Sequence, residues 1–75
     1  MPKLPRISGD ELIRAFERLG FVAVRQRGSH VVMKRVSAEG VQGASIPRHK
    51  ELAIGTLHSI LRLAKVSPEE LEQHL

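Results

Sequence analysis

Apolar residues in the first part of the chain recur at helical spacing. Leu12, Ala15, Phe16 and Leu19 stand at i, i+3, i+4 and i+7, which places them on one face of a helix. Ser8 and Glu11 form the S-x-x-E capping box ahead of that stripe, Ile7 and Leu12 can staple around it, and Gly20 follows as a stop. These signals predict a helix over roughly residues 8–19, preceded by an extended lead-in over residues 1–6 with Pro2 and Pro5.

Beyond Gly20 the period changes from helical to alternating. Residues 21–26 and 30–36 are rich in β-branched types, and Gly28 between them supplies the positive φ of a tight turn. With Arg27-Gly28 as the two-residue loop, Arg25 opposes His30, Val24 opposes Val31 and Val22 opposes Met33. One face then gathers Val22, Val24, Val31 and Met33 as core. The other gathers Ala23, Arg25, His30, Val32 and Lys34. Ser37-Ala38-Glu39-Gly40 reads as the next turn, and residues 41–46 as a weaker third strand ended by Pro47. Residues 48–52 form a basic loop.

The helical template returns with Leu57, Ile60, Leu61 and Ala64, with Ile54 one turn earlier extending the stripe, so a second helix starts near Ala53 or Thr56. Ser67 as cap, Pro68 at the first helical position and two acids after it open a short last helix anchored by Leu71 and Leu75. The expected fold is a single α+β domain over residues 1–75. Its order is α-β-β-β-α with a short C-terminal helix, a three-stranded antiparallel sheet, and helices on one face. That order resembles a double-stranded-RNA-binding domain.

Charge sharpens the picture because it is local. From residue 21 to residue 50 six basic residues, Arg25, Arg27, Lys34, Arg35, Arg48 and Lys50, face Glu39 alone, a balance of +5; the rest of the chain sums to −1. A cationic middle between near-neutral flanks fits a polyanion footprint. It also fits a sheet edge guarded against pairing, or an interface for an acidic protein. Cysteine is absent, which rules out disulfides and thiolate metal sites and suits a reducing cytosol. No stretch reaches the roughly 20 apolar residues of a membrane span, and the start lacks the apolar run of a signal peptide. The expectation is a cytoplasmic protein with no membrane contact.

Nucleotide-binding loops and the serine-nucleophile motif are missing, and the scattered histidines and helix-start acids do not suggest a metal. His30 is the defined candidate, at the start of a strand on the face that carries cations. An imidazole exchanges a proton near neutral pH. Beside Arg25 and Lys34 it suits deprotonation of an RNA 2′-OH, in-line attack on the neighbouring phosphate, and cationic stabilisation of the transition state, with no metal or other cofactor required. A plain polar strand residue is the competing reading. His49, two residues past Pro47, is either a proton-transfer group, a phosphate ligand or a solvated loop residue; His58 and His74 read as surface. Phe16 reads as core, which leaves only Phe21 as a stacking platform for bases.

Five blocks in order, Gly20-Phe21, Gly28-Ser29-His30, Ile46-Pro47-Arg48-His49, Gly55-Thr56-Leu57 with Ile60-Leu61, and the tail from Val66 to Leu71, resemble the HicA toxins of HicA/HicB toxin-antitoxin pairs. The likeness covers essentially the whole chain. It implies a small endoribonuclease (mRNA interferase) that cleaves mRNA without a metal, uses His30 held by the Gly28-Ser29 turn, and is neutralised by a HicB antitoxin covering that histidine. The free chain is then expected as a monomer. Arg25, Arg27, Lys34, His49 and Lys50 join Gly28 and Ser29 as candidate substrate contacts. The alternative is a non-catalytic RNA-binding module of the same fold.

Overall fold

A computed structural model describes residues 4–75, so the first half of the expected lead-in lies outside the described residues. The first helix, α1, spans Gly9–Arg18 and opens with the expected capping box. The Ser8 Oγ accepts from the Glu11 N–H, and the Glu11 carboxylate accepts from the Ser8 N–H, both at 3.0 Å. That backbone N–H, and then the Ser8 hydroxyl, hold the Glu11 carboxyl below its ordinary value of 4.5. Ile7, Leu12, Ala15 and Phe16 are buried, so the staple and the stripe face the core together. Gly20, at φ 97, ends the helix.

Three antiparallel strands follow in a meander: β1 Val22–Arg27, β2 His30–Ser37 and β3 Gly40–Pro47, in the order β1-β2-β3. The third strand is longer than expected and pairs with β2 along its whole length, from Ser37↔Gly40 to His30↔Pro47. Its inward residues Gln42, Ala44 and Ile46 join Val31 and Met33 of β2 beneath the helices.

The first hairpin departs from expectation. Its loop is Gly28-Ser29, so Arg27, not Arg25, opposes His30, while Gln26 opposes Val31 and Arg25 opposes Val32. Gly28 occupies the first loop position at φ 53, where a type II′ turn demands a positive φ. A bulge at Val24 then shifts the register so that Ala23 faces Met33 and Val22 faces Lys34. Val22 and Val24 were expected in the core; they are 62% and 54% exposed. Two causes act: the bulge at Val24 reverses the parity of the strand before it, so that Val22 sits on the Lys34 side, and the helices do not extend over β1, since all six of its residues are exposed.

The second helix, α2, spans Ile54–Ala64 and buries Leu57, Ile60, Leu61 and Ala64; Ile54, expected to extend the stripe, is largely exposed. The third, α3, runs over Pro68–Gln73 with a second reciprocal capping box between Ser67 and Glu70. Leu71 is its anchor, but Leu75 is largely exposed beyond the helix end. The last turn is held instead by the Arg18 Nη1, which donates to the His74 carbonyl at 2.8 Å. Phe21 is also buried, against Phe16 at 4.6 Å between ring centroids, with the Arg35 guanidinium 4.6 Å above its ring. Neither phenylalanine is therefore open to a base. Among the described residues no helix is long and apolar enough to cross a membrane.

Two outcomes test these local rules. Lys65 turns the chain left-handed after α2 at φ 56 and lets the Val66 N–H reach the Leu61 carbonyl at 3.0 Å. A side chain is disfavoured there, so K65G should raise stability by about 0.5–1 kcal/mol in thermal unfolding, the smaller figure reflecting glycine's freer unfolded state. Glu11 has a lowered folded-state pKa, so its contribution is complete above the ordinary carboxylate range and is lost as pH falls through the lowered value. The stability gap between the native chain and E11A should accordingly be widest near neutral pH and close in acid.

Candidate functional site

The site begins with the β1–β2 turn. Gly28 has open space around it, and Gln26 Nε2 closes the turn by donating to the Gly28 carbonyl at 3.2 Å. The turn delivers His30 to the first position of β2, exposed, and strand alternation puts it opposite in sense to the buried Val31 and Met33. The outer face of the sheet thus carries His30, Val32 and Lys34, flanked across the β1 ladder by Arg27 and Arg25 and across the β3 ladder by Ser45 and Gly43. Arg27 stands directly across from His30. Arg25 lies two pairs further on, the next on that face, where Val24, Arg25, Val32 and Lys34 line a shallow depression of about 340 Å³.

The loop after β3 comes back to the same end. Pro47 pairs with His30, and the Arg48 N–H then donates to the Ser29 carbonyl at 2.7 Å, which carries the ladder one step past the proline. From the other side the Gly9 N–H donates to the His49 carbonyl at 2.9 Å, and Leu52 N–H donates to the Ile7 carbonyl at 2.8 Å. Arg48 Nε meets the Asp10 carboxylate at 2.8 Å, a half-exposed pair that contributes at most about 1 kcal/mol. Held at both ends, the loop sets the His49 ring edge-on to the His30 ring, with centroids 6.5 Å apart and planes at 72°. Lys50 is exposed one residue beyond.

The structure therefore brings His30, Arg27 and His49 together at one end of the open face, with Arg25 and Lys34 further along it. Two of the six middle-segment cations serve other ends. Arg35 points to the helix side, where its Nη1 donates to the Leu19 carbonyl at 3.1 Å, and Arg48 is paired with Asp10. Asp10, in the first turn of α1, holds this loop through Arg48. Among the described residues no three histidine, aspartate or glutamate side chains converge as a metal ion requires.

Gly9 was not singled out by its sequence context, yet the loop depends on it. A Cβ there would stand 1.9 Å from the Pro47 carbonyl oxygen. The signal was present: a glycine inside a capping box, where alanine favours the helix, marks a close backbone approach.

These features define an α+β domain of the double-stranded-RNA-binding type whose uncovered sheet face is cationic and bears two adjacent histidines. The chain belongs to the HicA toxin family: the family model, described as the HicA toxin of bacterial toxin-antitoxin systems, matches residues 9–66. That span holds the four blocks from Gly20-Phe21 to Ile60-Leu61 and begins at Gly9 itself. A search of curated proteins returned no match.

The Gly9 approach yields a prediction whose sign is informative. Alanine is the better helix former, so propensity alone predicts that G9A gains stability. The clash with Pro47 should win, costing about 1–3 kcal/mol in denaturant unfolding.

Proposed function

We propose that the chain is a toxin that acts as an endoribonuclease on mRNA, with His30 as a general acid/base. The observation that carries this reading is the exposure of His30 on the outer sheet face with Arg27 directly across the ladder. An RNA backbone laid over that face meets a proton-transfer group and cations in one place. Arg25, Arg27 and Lys34, with Lys50 from the loop, hold the phosphates; His49 lies within reach of the same strand. Gly28 and Ser29 set the position of His30 through the turn. The 2′-OH attacks the adjacent phosphorus as its proton leaves, and the guanidinium offsets charge that grows on the phosphoryl oxygens. No cofactor enters this scheme.

Family membership gives the chain an antitoxin partner in the same system. In this reading the partner is a HicB-type protein that binds over His30 and keeps RNA away. The valines interleaved with the cations, Val22, Val24 and Val32, offer such a protein apolar contact that a polynucleotide backbone does not use.

The test uses the native chain and H30A on an RNA strand with EDTA present. H30A should lose about 10²–10⁴-fold in cleavage rate. As an exposed substitution it should change stability by less than about 0.5 kcal/mol. Native cleavage should leave 2′,3′-cyclic phosphate ends and spare a 2′-deoxy strand. R25Q and K34Q should weaken RNA binding and flatten its salt dependence by about 0.7 in the log–log slope for each phosphate left without its cation. Full cleavage by folded H30A would overturn the assignment. Binding without any cleavage by the native chain would favour the non-catalytic module.

A further inference from the structure

The fixing of His49 is more than a solvated loop residue needs. We infer that His49 is the second proton-transfer group of the RNA-cleaving site, acting with His30 on opposite sides of one phosphate; this rests on the endoribonuclease reading above. The two rings come from different elements, β2 and the loop after β3. Backbone hydrogen bonds at Ser29, Arg48, Gly9 and His49 nevertheless bring them within 6.5 Å, both exposed to solvent. Those bonds use main-chain atoms only, so both imidazoles stay available to a substrate.

Cleavage by an internal nucleophile needs two proton transfers on opposite sides of the phosphorus, because attacking and leaving oxygens lie in line. One neutral imidazole takes the proton of the 2′-OH while O2′ bonds to phosphorus. The P–O5′ bond breaks, and the departing O5′ takes a proton from the other ring, which begins as imidazolium. The products are a 2′,3′-cyclic phosphate and a free 5′-OH, and the two rings finish with their protonation exchanged, to be reset by water. Each transfer requires a heavy-atom approach of roughly 2.6–3.2 Å. Rings 6.5 Å apart and steeply inclined leave space for a phosphate between them, whereas stacked rings would not. Arg27, across from His30, then faces the phosphoryl oxygens.

Three measurements on the full-length chain decide the matter. The first compares thermal unfolding of H49A with that of the native chain; the two should agree, because the loop is held through the His49 carbonyl and not its ring. The second is the pH profile of kcat/KM on an RNA dinucleotide linkage, expected to be bell-shaped for the native chain. It should lose one limb in H49A and the other in H30A, with each rate down by about 10²-fold or more. The third replaces O5′ at the scissile bond with sulfur, a leaving group that departs without a proton. This substrate should restore cleavage to the variant that lacks the acid and leave the other slow, which also says which ring plays which part. An H49A chain with both limbs intact, or one changed only in KM, overturns the inference and makes His49 a phosphate ligand or a bystander. Failure of the sulfur substrate to separate the two variants overturns it as well. A native chain that leaves RNA whole overturns the endoribonuclease reading, and this inference with it.

Discussion

The close approach of the α1 N-terminus to the end of β3 ties the helical layer to the end of the sheet that carries the two histidines. At Gly9 the backbone comes so near Pro47 and Arg48 that no side chain fits, and its N–H is donated to the carbonyl of His49. The first N–H groups of a helix lack intrahelical partners. Here one finds its partner in a loop, and the need to satisfy a helix end becomes the means of fixing that loop. Arg48 to Ser29 on one side and Leu52 to Ile7 on the other complete the fastening. Without it, Pro47 would end the ladder and the chain beyond would be free to leave the sheet.

Division of labour between the sheet's two faces explains how so small a domain tolerates the charge it carries. Stability comes from the inner face, where Val31, Met33, Ala44 and Ile46 meet Leu12, Phe16, Leu57, Ile60 and Leu61, all buried. None of the outer-face residues belongs to that cluster. Cations placed there keep their hydration and repel one another through solvent, which screens them. The same cations inside the core would need buried charge partners, and the buried polar residue there is the neutral Gln42. Arg35, the basic residue of β2 that turns to the helix side, is placed at the rim, with its guanidinium over Phe21 and against the end of α1.

What was legible in the sequence follows from the range of the interactions involved. The Ser8–Glu11 capping box and the Ser67 cap were readable because each is a local affair of a few residues, while the bond that Glu70 returns to Ser67 is seen only in the structure. The face occupied by His30 was readable too. It depends only on parity within β2, where Val31 and Met33 mark the inner side, and it therefore survived a wrong turn assignment. The partner across the ladder was not readable: Gly28 serves as either the first or the second loop residue, and one step of slip exchanges Arg25 for Arg27. Burial of Val22 and Val24 failed for other reasons: the bulge at Val24 breaks the alternation and turns Val22 outward, and alternation does not say whether a helix lies over a face. Leu75 and Ile54 failed likewise at element ends, where a periodic position has no neighbour to pack on. Proximity of His49 to His30 needed Gly9, Ser29 and Arg48 at once, three residues brought together across the chain that no local pattern encodes.

An uncovered edge strand is a hazard for an isolated protein, because its free N–H and C=O groups invite pairing. β1 meets that hazard with a bulge at Val24 and with Arg25 and Arg27, which twist and charge the edge. Such features discourage a second copy of the same chain more than an acidic partner, for which they are attractive. Covering this strand from above would add the apolar burial that α1 and α2 do not provide, while leaving the inner core untouched. A protein that must stay folded both free and bound gains from this separation. Its core is complete by itself and holds none of the outer-face residues, so occupancy of the cationic face is coupled only weakly to folding of the domain. Strong coupling would instead make the chain unstable whenever that face is empty.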